Sequence, residues 1–151
     1  MCKKYIASWS GGKDSTFMVD ELLRRGYPLD DIVFCDTGYE FSEMYDYIQK
    51  CKTYWEDKYN AKVTLLNYGK GKEIFEKWST GTYTKGEHKG KVRGFPFHLG
   101  MSWCTRELKI KPFNDYVKTM YKDCIVYNYI GIAIDEPKRV PEDVKNNISN
   151  G

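Results

Sequence analysis

Metal-ligating patterns are scarce in this chain. It has two histidines and no Cys-x-x-Cys pair, so a zinc ribbon or a four-cysteine iron–sulfur cluster has no ligand set. His88 and His98 lack a partner at ligand spacing and both fall in a glycine-rich stretch. Long apolar runs are absent too: none approaches the ~18 residues of a membrane helix. Met1-Cys2-Lys3-Lys4 leads straight into a strand-like run, which predicts no signal peptide. A cytoplasmic protein without a membrane partner is expected. Charge of one sign is also scarce, with 24 Lys plus Arg against 21 Asp plus Glu, a net of +3. That balance predicts no broad nucleic-acid surface. Finally, neither Gly-x-x-x-x-Gly-Lys-Ser/Thr nor Gly-x-Gly-x-x-Gly occurs, which excludes two common phosphate loops.

A different phosphate-binding arrangement is present. Tyr5-Ile6-Ala7-Ser8-Trp9 reads as a short buried strand, and Phe17, Met18, Val19, Leu22 and Leu23 have helical spacing. Between them lies Ser10-Gly11-Gly12-Lys13-Asp14-Ser15. A strand, two glycines and a helix N-terminus leave several N–H groups aimed at one point, a concavity suited to anions. A plain strand-to-helix turn uses the same residue types. Asp14 sharpens the phosphate reading: a carboxylate beside phosphates repels them unless a divalent cation bridges the two, which implies a Mg²⁺-nucleotide.

The rest of the chain alternates between strands and helices. Strands are expected at about Lys4 to Ser8, Ile32 to Asp36, Lys62 to Leu66 and Cys124 to Ile132. Helices are expected at about Ser15 to Arg25, Ser42 (as N-cap) to Tyr59, Glu73 to Trp78 and Cys104 to Tyr121. Met44, Ile48, Cys51 and Trp55 share one face of the second helix. Such alternation predicts a single α/β domain over residues 1–151 with a parallel sheet.

Thr80 to Gly100 breaks the pattern, with five glycines and Lys85, Lys89, Lys91 and Arg93 among them. It reads as a flexible loop, either a flap that meets an anionic ligand or nucleic acid, or a surface insertion. Cys35, Cys51 and Cys124 sit in apolar patterns and read as small hydrophobes in a reducing compartment. Cys104 adjoins Thr105-Arg106, where a guanidinium and a helix N-terminus would lower its pKa. A persulfide-carrying role and a structural one both fit it.

Ser10 to Ser15 resembles the SGGxDS signature of the PP-loop ATP pyrophosphatase superfamily, whose members are adenine-nucleotide α hydrolase-like. Three further segments follow in that superfamily's order. Asp36-Thr37-Gly38-Tyr39-Glu40-Phe41 is similar to the DTG-x-x-F element of phosphoadenosine phosphosulfate (PAPS) reductases. Cys104 to Phe113 is similar to a basic stretch ending in Lys-x-x-Pro-hydrophobic. Tyr129 to Arg139 resembles Gly-x-Arg-x-x-Glu-x-x-x-Arg, although Ile132 and Ala133 follow Gly131 where many relatives carry an arginine.

The resemblance spans about residues 4 to 140 and implies a doubly wound, mostly parallel sheet with helices on both faces. It implies phosphates on Ser10, Gly11, Gly12, Lys13, Asp14 and Ser15, Mg²⁺ near Asp14, and adenine near Asp36, Thr37 and Gly38, with Gly131 at the same site. Lys13, Asp14, Arg106, Lys109 and Arg139 would carry catalysis. The implied reaction is attack on the α-phosphorus of ATP with release of pyrophosphate, sulfur transfer being one use of the adenylated intermediate. PAPS is the alternative nucleotide, and a non-catalytic nucleotide-binding module the alternative class. The tail cysteine of sulfonucleotide reductases is missing, and residues after Arg139 are fewer than relatives carry, as in a minimal form or a fragment. A second substrate, a nucleic acid among the candidates, and a homo-oligomer are both compatible with the sequence.

Overall fold

The computed structural model describes residues 2–95 and 103–133. The chain begins with β1 (Cys2–Trp9) and α1 (Lys13–Arg24), followed by β2 (Asp31–Cys35), α2 (Ser42–Tyr59) and β3 (Val63–Leu66). Then come α3 (Gly71–Thr80), a π-helical turn (Thr105–Ile110) running into α4 (Lys111–Met120), and β4 (Cys124–Ile130). The strands form one sheet in the order β3-β2-β1-β4, and each described pairing is parallel. This is a doubly wound α/β arrangement, as the alternation predicts.

Side-chain alternation explains why helices cover both faces. Ala7, Trp9, Ile32, Phe34 and Val63 point one way and pack with Val19 and Leu22 of α1 and Ile48 and Trp55 of α2. Trp9 is the hub, with ring centroids 4.9 Å from Trp55 and 5.6 Å from Phe34. Ile6 and Val33, on the opposite face, are equally buried, as is Leu108 of the π-helical turn. β4 is more exposed: Ile125, Tyr127 and Ile130 keep 37 %, 44 % and 57 % of their surface.

Four details differ from the sequence expectations. Phe41, not Ser42, is the N-cap of α2, and the Ser42 hydroxyl donates to Glu43 instead. The helix expected from Cys104 opens with a π turn, in which the Lys111 N–H reaches the Arg106 carbonyl five residues back. Cys124 is not a free small hydrophobe. Parallel pairing sets Cys2 opposite Cys124, and the two form a disulfide across 122 residues of sequence. The stretch expected to be structureless folds back on itself in its described part. Tyr83 N–H donates to the Lys91 carbonyl, Gly90 N–H to Tyr83, and Arg93 N–H to Gly81, making an irregular hairpin.

Candidate functional site

A parallel sheet binds ligands outside the carboxyl ends of its strands, where the winding direction reverses. Here the chain winds from β1 to β2 and β3 on one side and returns to β4 on the other. The reversal therefore lies between β1 and β4, and Ser10 to Ser15 leaves β1 at that point. The loop is knit by its own serines. Ser15 Oγ donates to the Gly12 carbonyl (3.0 Å), accepts from the Ser10 N–H (3.2 Å) and lies 2.9 Å from Ser10 Oγ. The Trp9 indole N–H donates to Thr16 Oγ1 at 2.9 Å, tying strand to helix. Gly11 holds a φ of +77° and meets Met44 so closely that a Cβ would lie 3.0 Å from its sulfur, which is why glycine is needed there. No side chain caps α1, so its first-turn N–H groups remain available to an anion.

Gly131 closes the other wall. A Cβ on it would lie 3.0 Å from Ser15 Cα and 3.1 Å from Ser15 N, so the end of β4 rests directly on the start of α1. Ser10, Ser15 and Gly131 open onto a cleft of about 350 Å³, whose other lining includes Ser8, Asn128, Cys35, Lys109 and Phe113. On its floor Ser8 Oγ donates to Asn128 Oδ1 at 3.0 Å. The Cys35 thiol donates to the Lys109 carbonyl at 3.5 Å. Burial pushes that thiol up to about 11, against the opposing pull of the Lys109 ammonium.

The expected site residues thus separate into groups. Ser10, Ser15, Lys109 and Gly131 line the cleft. Gly11 and Lys13 line a second, more open hollow on the other side of the loop, with Thr16, Phe41, Met44 and Tyr47. Gly12 precedes α1, and Asp14 is exposed in its first turn. The Asp14 carboxylate takes part in no ion pair among the described residues.

Asp36, Thr37 and Gly38 do not line the cleft. Asp36 is fully buried, and its carboxylate shapes the loops: Oδ1 accepts from the Gly38 N–H (2.7 Å) and the Tyr45 hydroxyl (2.8 Å), Oδ2 from the Gly69 N–H (2.8 Å). Thr37 donates to Glu40 at 2.9 Å. Gly38, at φ +77°, packs on Gly71 and Lys72, where any Cβ would overlap backbone. Arg106 is paired with Glu107 at 3.0 Å and is not among the residues lining the cleft. Arg139 lies outside the described residues, as do His98 and Gly100.

Sequence reasoning missed Ser8, Cys35, Phe113 and Asn128. The available signal was polarity inside apolar strands: Ser8 and Asn128 interrupt β1 and β4 on the face that also carries Val33 and Cys35.

Could the residues hold the implied magnesium ion? Among the described residues no group of three or more His, Cys, Asp or Glu is placed to hold a metal. One free carboxylate next to a phosphate loop does fit Mg²⁺, which takes one or two carboxylates and completes its shell with substrate phosphates and water. Asp14 would be that ligand.

Comparison with known proteins agrees with this geometry. Residues 4–131 match the phosphoadenosine phosphosulfate reductase domain. The chain is 28 % identical over 152 residues to the uncharacterized nin region protein ORF290 of Escherichia phage lambda, covering 89 % of this chain and 50 % of that one. It is 33 % identical over 124 residues to an uncharacterized protein of Methanocaldococcus jannaschii, covering 78 % of this chain and 25 % of the relative. Half of the chain is 37 % identical, over 79 residues, to 19 % of a tRNA(Ile)-lysidine synthase of Mesoplasma florum. The chain therefore spans about half or less of the length of these relatives. No solved structure matches it, and no described helix is long and apolar enough to cross a membrane. A Ser-Gly-Gly loop set at the β1–β4 reversal and a match over nearly the whole described chain agree on one assignment: the protein belongs to the phosphoadenosine phosphosulfate reductase domain family of the PP-loop superfamily.

Proposed function

We propose that the protein is a PP-loop enzyme that binds ATP with its phosphates on Ser10 to Ser15 and transfers adenylate to an acceptor. The observation that carries this reading is the uncapped start of α1, held open by Gly11 and Gly131 beside the 350 Å³ cleft. An acceptor oxygen attacks the α-phosphorus, the bond to the bridging oxygen of the β-phosphate breaks, and pyrophosphate leaves with that electron pair. Rate enhancement comes from positioning and charge neutralisation. The first-turn N–H groups of α1 hold the phosphates in place, and Lys109 of the cleft and Lys13 of the neighbouring hollow are the cations that neutralise them. Arg106 would have to exchange Glu107 for the nucleotide to contribute. Mg²⁺, when bound at Asp14, supplies charge neutralisation of the phosphates. Sulfur transfer is one use of the adenylated product.

A second reading is favoured by the family description: a sulfonucleotide such as PAPS occupies the same loop. Calorimetric titration of ATP·Mg²⁺, PAPS and AMP, paired with analysis for AMP and pyrophosphate, separates the two. ATP is expected to bind best, Lys13→Ala to lower its affinity at least tenfold, about 1.4 kcal/mol, and Asp14→Asn to abolish product. Tighter binding of PAPS moves the protein to the sulfonucleotide reading. ATP binding without turnover in the presence of candidate acceptors supports a binding module, and no nucleotide binding at all overturns the proposal.

A further inference from the structure

The chain's net charge of +3 is wholly accounted for by one short segment. Residues 81–94 contain Lys85, Lys89, Lys91 and Arg93 against Glu87, a balance of 4 − 1 = +3, which leaves the remaining 20 basic and 20 acidic residues of the chain in balance. That segment is the irregular hairpin. Its backbone is fixed by the hydrogen bonds between Tyr83 and Lys91, Gly90 and Tyr83, and Arg93 and Gly81. Lys85, Lys89 and Lys91 are exposed and make no ion pair among the described residues. Rings stand among the charges: Tyr83 and His88 lie 5.8 Å apart, and the Arg93 guanidinium sits 5.5 Å over Trp78.

The hairpin is also attached to the site's surroundings. Trp78 packs on Trp103 at 4.7 Å, and Phe75 links Trp103 (5.4 Å) to Tyr39 of the loop after β2 (5.1 Å). Trp103 leads into the π-helical turn, whose Lys109 lines the cleft.

We propose that this hairpin is a docking site for the phosphate backbone of a single-stranded nucleic acid, which is the second substrate of the neighbouring cleft. Cations spaced along a fixed turn with interleaved flat rings suit a chain of phosphates and unstacked bases. An anionic bilayer would instead call for a continuous apolar face beside the charges, and within 81–94 Val92 is the lone exposed aliphatic. In naming the polymer a substrate the proposal rests on the enzymatic reading above; the docking itself does not.

The test is fluorescence anisotropy with a labelled RNA and DNA strand of about 20 nucleotides, titrated between about 50 and 200 mM salt. Binding is expected to weaken linearly on a log–log plot. Lys85→Glu/Lys89→Glu/Lys91→Glu should lose at least tenfold in affinity, and the milder Lys→Gln triple variant, with unchanged melting temperature, should flatten the slope by about 2, at about 0.7 per lost contact. Asp14→Asn should bind the strand like wild type, so failure of the nucleotide reading and failure of docking are distinguishable. Three results overturn docking: no strand binding at about 50 mM salt, equal affinity in both triple variants, or preference for phosphatidylserine-containing vesicles over either strand.

Discussion

β2 carries a buried aspartate at its start and another just past its end, and the two are employed in opposite ways. Asp31, at the edge away from the Ser10–Ser15 loop, is surrounded by side chains from two other elements or their flanks. Its oxygens accept from Thr64 Oγ1 (2.8 Å), Lys62 Nζ (2.8 Å), and the hydroxyls of Tyr116 (2.6 Å) and Tyr121 (2.9 Å). Those bonds clamp α4 and β3 onto β2. Asp36, at the carboxyl edge of the sheet, accepts chiefly from backbone N–H groups of Gly38 and Gly69. It fixes loops rather than layers. Asp14 is a third case, exposed and unpaired among the described residues, and so open to a ligand. A buried carboxylate is costly unless fully hydrogen-bonded. Full satisfaction within the protein lets Asp31 and Asp36 brace the fold, while Asp14 stays exposed beside the Ser10–Ser15 loop.

Breaking the first member of the pair should have the largest effect on stability. Asp31→Ala leaves two tyrosine hydroxyls and Lys62 without their shared acceptor, and an expected loss of about 3 kcal/mol would be read from urea unfolding. Lys62 is half exposed and can turn to water, which keeps the figure at the low end for a buried pair. A loss under about 1 kcal/mol would show that the clamp is an ordinary surface ion pair.

Asp36→Asn is the sharper probe of the other end. The amide keeps the shape but places N–H donors against donors, at an expected cost of about 1–2 kcal/mol. Burial, and then the hydrogen bond to Asp36, push the Tyr45 phenol up to about 12. Removing the carboxylate's charge should bring that phenol down toward its ordinary value of 10.0, seen as an earlier alkaline step in phenolate absorbance relative to wild type. An unchanged titration would detach Tyr45 from Asp36.

The same contrast explains how much could be read in advance. The described strands and α-helices were legible, because apolar spacing and the glycines after β1 are local signals. So was the family, through six consecutive residues from Ser10 to Ser15 with a distinctive pattern. Asp36 was legible as the end of a strand, but not as a loop brace, since its partners Tyr45 and Gly69 are fixed only by tertiary contact. Asp31 drew no notice: Thr64, Tyr116 and Tyr121 converge on it from 33, 85 and 90 residues away. The Cys2–Cys124 bond was hidden for the same reason, being a product of parallel register. The hairpin at 81–94 was read as structureless because its glycines obscured a fold held by backbone hydrogen bonds, with no hydrophobic period to announce it.

Cys35, the last residue of β2, tests the smallest difference between the two ends. It adjoins Asp36, yet its thiol lines the cleft and carries no charge to satisfy. Burial raises its pKa from 9.0 to about 11. Because the folded value lies above the unfolded one, the neutral thiol favours the folded state fully below pH 9.0, and this contribution fades as pH climbs toward about 11. Alkylation needs the thiolate, so at about pH 8 Cys35 should react with iodoacetamide at least tenfold more slowly than the exposed Cys104. Mass spectrometry of each peptide over time gives the two rates. The gap should narrow between pH 9.0 and about 11, and ATP·Mg²⁺ in the cleft should slow Cys35 further while leaving Cys104 unaffected. Equal rates at the lower pH would mean that this end of β2 is open to water, and that the cleft wall is not the closed surface the proposed nucleotide site requires.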